Sequence, residues 1–229
     1  HMAPGLYEAF GTDEFDDLYL KYEADKTIPK KTVAAQDLFG DLLKERAETG
    51  RIYIMNLDHC NSHSSFKDKV SMSNLCQEIT LPTTPIQDIH DDQGEIALCI
   101  LSAVNVGGLN DLSELENICD LSVRALEQII DYQDYPVRAA EVSTKKRRSL
   151  GIGYIGLAHY LAKNGVKYSD PKAWDLVDRL TEAFQYNLLR ASCNIAIEKG
   201  RCEGFERTKY ADGLLPIDHY KKEIDEIVP

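Results

Sequence analysis

No stretch of this 229-residue chain approaches the roughly 20 consecutive apolar residues of a bilayer-spanning helix, so no membrane partner is expected. No secretory leader pattern is visible, and His1-Met2 reads as a cloning scar. Basic charge is scarce. There are 26 Lys and Arg against 38 Asp and Glu, a formal net charge of -12. That balance disfavours a phosphate backbone, which needs a basic face, so no direct nucleic-acid binding is expected. No C-x-x-C occurs among the six cysteines, at 60, 76, 99, 119, 193 and 202. They lack the dense spacing of a secreted disulfide scaffold and point to a reducing cytoplasm. His59, Cys60 and His63 stand close in sequence, but a zinc site needs three or four converging ligands and no second pair follows. No metal is expected.

What is present is Asn74-Leu75-Cys76-Gln77-Glu78. An amide, a thiol and a carboxylic acid occupy alternate positions. In an extended backbone these share one face, so the spacing aims a hydrogen-bonding group, a redox-capable sulfur and a proton acceptor at one volume. A second cysteine, Cys99, lies in the apolar run Ile96-Ala97-Leu98-Cys99-Ile100-Leu101. On spacing alone, the commoner reading is a small packed hydrophobe, since Cys is among the most buried residue types.

Around this motif the pattern predicts one continuous α/β unit with a helical second half. A helix is expected over Thr32 to Glu48, with Val33, Leu38, Leu42 and Leu43 as its stripe and Gly50 as its cap. Strands are expected at Arg51 to Met55, at 73 to 81, and at 95 to 106, the last buried on both faces. Gly107-Gly108 ends that run. Ser113 to Glu116 reads as a capping box with Leu112 as staple. The following helix turns Leu115, Ile118, Leu121, Leu126 and Ile129 inward. Another helix is expected over Gly153 to Lys163. A long one starts at Ser169-Asp170-Pro171 and carries Leu176, Leu180, Phe184, Leu188 and Ile195 to Gly200. Lys145 to Arg148, Asp13 to Asp17 and Asp88 to Glu95 are expected as solvated charge. Gly151 to Gly156 matches G-x-G-x-x-G, but it follows a polar segment rather than a buried strand, so tight helix packing is expected in place of a dinucleotide site.

Motifs along almost the whole chain carry a family likeness. They are Ala3-Pro4-Gly5-Leu6-Tyr7, Thr49 to Ile54, Asp58-His59-Cys60-Asn61, Ser73 to Thr83, Gly94 to Cys99, Leu101 to Asn105, Asp131 to Pro136, Arg148 to Gly153, and Leu215-Pro216-Ile217-Asp218. In this order they resemble the large, catalytic (alpha) subunit of class I ribonucleotide reductases, the ribonucleoside-diphosphate reductases. The short stretch between Phe66 and Ser73 is similar to phage members.

The resemblance implies a ten-stranded α/β barrel with a finger loop through its centre and Cys76 at the loop tip. It implies reduction of ribonucleoside diphosphates by thiyl-radical chemistry. Cys76 matches the radical cysteine, Glu78 the base for the 3′-hydroxyl, and Asn74 the amide that orients the substrate hydroxyls. Residues Asn74, Leu75, Cys76, Gln77 and Glu78 match the substrate-binding loop. Cys99 matches one half of the redox dithiol, whose partner is expected outside the chain. No cofactor is expected in this segment itself. The implied partners are the remaining segments of the large subunit, a di-metal radical-generating small subunit, and thioredoxin or glutaredoxin as thiol reductant. ATP and dNTP effectors bind elsewhere in the family, and the complete enzyme is a dimer.

No Tyr-Tyr pair occurs, whereas the family's radical path carries one. Residues 3–229 are therefore expected as the central portion of the barrel domain, from an excised fragment or a split gene, inactive alone. Two other readings stand beside this one: a non-catalytic α/β module with structural cysteines, and a thiol-dependent enzyme acting alone.

Overall fold

An Asp-Pro pair opens the longest helix. Asp170 Oδ1 accepts the Lys172 N–H at 3.0 Å, and Pro171 fills a first-turn position where its missing N–H costs nothing. The computed structural model describes residues 2–98 and 100–227. In chain order its elements are α1 (Leu6–Ala9), α2 (Glu14–Ala24), α3 (Ala35–Thr49), α4 (Leu57–His63), β1 (Leu101–Asn105), α5 (Leu115–Tyr132), α6 (Arg138–Arg147), β2 (Gly151–Ile155), α7 (Leu157–Lys163), α8 (Pro171–Lys199) and α9 (Pro216–Ile227). Where sequence suggests one continuous unit, the chain divides into two compact ones. The first comprises residues 1–82 and 214–229, the second residues 83–213.

The second unit holds the larger core. α5 buries Leu115, Cys119, Val123, Leu126 and Ile130, a spacing of three and four that keeps one face turned inward. α8 answers with Leu180, Phe184, Ala191 and Ile195. Two of the expected inward residues point the other way: Leu121 is 70% exposed and Ile129 43%. The true stripe runs through Cys119 and Val123, a small thiol and a β-branched residue that carry less apolar weight in a sequence reading. The α5 cap also begins earlier than expected. Asp111 accepts the Ser113 N–H at 2.8 Å, and Glu114 Oε1 accepts the Asp111 N–H at 3.3 Å. The box is thus Asp111 with Glu114, closing a 3₁₀ turn ahead of the helix.

β1 and β2 pair in parallel, from Leu101 opposite Gly151 to Asn105 opposite Ile155, with α5 and α6 in the crossover. This keeps the α/β class, with two paired strands among the described residues. Val104 of β1 packs with Ile152 and Tyr154 of β2 on Leu115, Cys119, Leu180 and Phe184. The other face is open: Leu101 is 54% exposed and Ile155 57%. The expectation of a long strand buried on both faces is therefore corrected, because this unit supplies a helical layer to one face only. The expected helix at Gly153 starts at Leu157. Gly151 and Gly153 lie inside β2, where a Cβ on Gly151 would come within 2.4 Å of Leu101 Cδ2. Gly156 makes the turn at φ 80°. Strand packing and a turn, not helix packing, account for these glycines. A dinucleotide fingerprint would put them after a strand.

Of the basic cluster Lys145 is exposed as expected, but Lys146, Arg147 and Arg148 are not solvated. Arg147 Nε donates to Glu95 Oε2 at 2.5 Å and Lys146 Nζ to Oε1 at 2.7 Å. The Arg147 and Glu95 side chains are each 4% exposed. Arg148, at φ 48°, donates to both Glu127 and Asp131. Sequence hides this because Glu95 and Glu127 lie far from the cations along the chain. Glu95 therefore also leaves the expected solvated acidic run, while Asp13, Glu14, Asp16 and Asp17 are exposed as expected.

In the first unit, Gly50 caps α3 in the left-handed region and donates to Arg46 O at 2.9 Å. The apolar stripe is not buried: Leu38 is 62% exposed and Leu43 45%, and Val33 precedes the helix at 52%. The strand expected at Arg51 to Met55 is irregular backbone. A side chain, Arg46 Nη1, takes the Ile52 carbonyl at 2.5 Å.

Burial by itself raises the Glu95 pKa, but hydrogen bonds from Arg147 and Lys146 outweigh it and hold the carboxyl below its ordinary value. A depressed pKa stabilises the fold above the unfolded carboxylate pKa, and that contribution is lost as pH falls through the folded value. Arg147→Ala leaves the buried carboxylate short of its closest partner and should cost about 3–5 kcal/mol by denaturant unfolding. The acid limb of the stability profile should also flatten in Glu95→Gln. Unchanged unfolding midpoints would refute the assignment.

Candidate functional site

The segment leading to Cys76 is anchored before it turns. Asn61 of α4 donates from Nδ2 to Leu57 O at 2.8 Å and to Val70 O at 2.9 Å. Its Oδ1 accepts the Val70 N–H at 2.8 Å. One amide side chain thus satisfies both backbone groups of Val70, as a neighbouring strand residue does. The Val70 side chain is fully buried, where unpaired backbone groups would be costly.

From that anchor the chain enters a hydrogen-bonded turn. The Gln77 N–H donates to Asn74 O at 3.1 Å, which leaves Leu75 and Cys76 at the head. Gln77 then adopts φ 64°, a left-handed conformation uncommon for a residue with a Cβ. Asn74 Oδ1 accepts the Ile79 N–H at 3.1 Å. Ser73 Oγ donates to Ile79 O at 2.7 Å and lies 3.2 Å from Asn74 Oδ1. Because a backbone N–H faces Asn74 Oδ1, the amide orientation is fixed by the network, with the NH₂ end turned away from that bond.

Residues 74, 76 and 78 therefore do not line one face of the expected extended strand. They are not successive positions of a strand; a turn gathers them into one short loop. Leu75 is 76% exposed, and Asn74, Cys76 and Glu78 are also exposed, with Gln77 partly covered. A packed, core cysteine at 76 is excluded. Cys99 lies outside the described residues. Two polar clefts lie elsewhere, one lined by Glu116, Asn187 and Arg190 and the other by Arg138, Glu141 and Lys145. Neither includes a residue of the turn.

Two residues that sequence reasoning did not single out, Asn61 and Ser73, shape the loop. Both sit inside motifs that carried the family likeness. The available signal was a short polar side chain flanking a turn, the residue class that hydrogen-bonds nearby backbone. His59, Cys60 and His63 fall on α4, where His63 Nδ1 sits 3.1 Å from His59 O. Among the described residues no group of three or more His, Cys, Asp or Glu is arranged to hold a metal. Among the described residues no helix is long and apolar enough to cross a membrane.

The other cysteines differ in kind. Cys119 is fully buried, and burial pushes its thiol up to about 11. Burial likewise raises Cys202. Since the thiolate is the reactive form, brief iodoacetamide treatment of the folded chain should label Cys76 and spare Cys119, read by peptide mapping. Labelling of Cys119 ahead of Cys76 would contradict the placement of both.

Residues 1–227 match the family model described as ribonucleotide reductase, barrel domain. The ribonucleoside-diphosphate reductase subunit alpha of Haemophilus influenzae is 58% identical over 98% of the chain. The corresponding subunit 1 alpha of Escherichia coli K12 is 54% identical over 98%. That of enterobacteria phage T4 is 41% identical over 99%. The chain spans about 30% of the length of each of these relatives. With a family match over residues 1–227, the chain belongs to the ribonucleotide reductase barrel-domain family.

Proposed function

We propose that this chain is the central portion, residues 3–229, of the catalytic barrel of a ribonucleoside-diphosphate reductase, and that it works within a longer catalytic subunit. The ten-stranded barrel is completed by segments beyond those described, with the loop at 73–81 as its finger. The observation that supports this best is Cys76 exposed at the head of a turn that also carries Asn74 and Glu78. Such a turn offers a sulfur, a hydrogen-bond donor and a base to one substrate.

In this reading residues Asn74 to Glu78 form the substrate loop for a ribonucleoside diphosphate. Cys76, as a thiyl radical, transiently takes the hydrogen atom from C3′ of the ribose. Glu78 accepts the 3′-hydroxyl proton, which promotes loss of the 2′-hydroxyl as water. The Asn74 amide holds the hydroxyls in place for that step. Cys99 and a cysteine outside this chain supply two electrons and become a disulfide, which thiol exchange with thioredoxin or glutaredoxin reopens. A separate di-metal small subunit supplies the radical. ATP and dNTP effectors act elsewhere on the complete, dimeric enzyme, which works in the cytoplasm. The chain alone is inactive.

Cys76→Ser in the complete enzyme should leave folding intact and abolish deoxynucleotide formation, because a hydroxyl does not replace the thiol as a hydrogen-atom acceptor. Substantial residual turnover rules out the assigned role. Glu78→Gln should lower kcat far more than it raises KM, since the lost proton acceptor acts in the transition state. A change in KM with unaltered kcat contradicts it.

A further inference from the structure

We propose that Ser73 is a positioning residue for this reaction, acting through Asn74 and the Cys76 turn rather than on the substrate. The inference rests on the functional reading above and extends it to a residue outside the Asn74 to Glu78 motif.

The turn has a neck where the chain enters at Ser73 and leaves at Ile79. Ser73 Oγ closes it from one side by donating to Ile79 O at 2.7 Å. Asn74 Oδ1 closes it from the other by accepting the Ile79 N–H at 3.1 Å. Both backbone groups of Ile79 are therefore taken by consecutive side chains. The serine oxygen also lies 3.2 Å from Asn74 Oδ1. Its one proton sits between two acceptors, the nearer being the carbonyl.

The consequence concerns the amide. Asn74 Oδ1 is held at the neck, so the group left to meet a substrate is the NH₂, which only donates. A hydroxyl oxygen with free lone pairs is its natural partner. If the neck loosens, Ile79 no longer fixes the amide, and Oδ1 and Nδ2 exchange places at little cost. The same neck restrains Gln77 in its left-handed conformation (φ 64°), a state that persists only when surroundings hold it. Ser73 thus sets both the identity of the group that Asn74 presents and the placement of Cys76 and Glu78 on the far side of the turn. Upstream, the Asn61 clamp on Val70 fixes where the neck begins.

The position suits a test by substitution, because Ser73 is only partly buried and lies outside helices and strands. In the complete enzyme with its radical-generating subunit, Ser73→Ala should lower kcat about five- to tenfold, the worth of one hydrogen bond with some misplacement. KM should stay within about twofold. Ser73→Thr keeps the hydroxyl and should restore kcat to within about twofold of the unaltered enzyme. Independently of activity, amide hydrogen exchange at Ile79 should quicken in Ser73→Ala and not in Ser73→Thr. A kcat unaffected by alanine, a threonine variant as impaired as alanine, a loss confined to KM, or unchanged exchange at Ile79 overturns the proposal. Cys76→Ser, measured alongside, separates the two levels: activity in that variant defeats the functional reading. Its inactivity together with an indifferent Ser73→Ala defeats only the role of Ser73.

Discussion

Burying the Glu95 carboxylate obliges the chain to bring cations to it. An unpaired charge in that place would be prohibitively expensive, and Lys146 and Arg147 meet the demand together. Being consecutive, they fix the last turn of α6 against the segment that runs into β1. Two backbone bonds join at the same junction: Ile96 N–H to Ala139 O at 3.2 Å, and Gly204 N–H to Lys146 O at 2.9 Å. The next residue, Arg148, turns into the left-handed region and grips Glu127 and Asp131 of α5 before β2 begins. A buried ion pair adds little net stability relative to a well-packed apolar substitute. What this one joins is the end of α6 and the segment that leads into β1.

The candidate site is organised on a smaller scale and by neutral groups. No ion pair among the described residues holds the turn at 74–79; one side-chain amide, one hydroxyl and one backbone hydrogen bond do. Neutral hydrogen bonds brace the loop while leaving the Cys76 thiol and the Glu78 carboxylate exposed. A cation recruited to brace the loop would pair with Glu78 and occupy its carboxylate. Short polar side chains bonding to nearby backbone give rigidity without that interference.

Legibility from sequence divided along the same line. α8 was readable end to end because its signals are local: Asp170, Pro171, a periodic apolar face and Gly200. The Gly50 stop of α3 was equally plain. The errors arose where a distant partner decides. Arg147 reads as solvated until Glu95 is found beside it. Leu121 and Ile129 read as core until Cys119 and Val123 are seen to face α8. Residues 101 to 105 read as covered on both sides, yet packing reaches only the Val104 side. For the turn, sequence singled out Asn74, Cys76 and Glu78, but the period-two geometry was wrong. A left-handed Gln77 has no composition signal, since the conformation usually belongs to Gly or Asn.

The two-stranded sheet carries a further consequence. Among the described residues β1 and β2 pair only with each other, so the outward side of each strand presents backbone donors and acceptors in a row. Such margins act as templates for another extended segment, and a two-stranded sheet is the smallest that can present them. In a concentrated solution of the chain, these margins would invite its own copies. Solubility during production should therefore fall as the chain's concentration rises, and any extended segment that pairs with these margins should protect it.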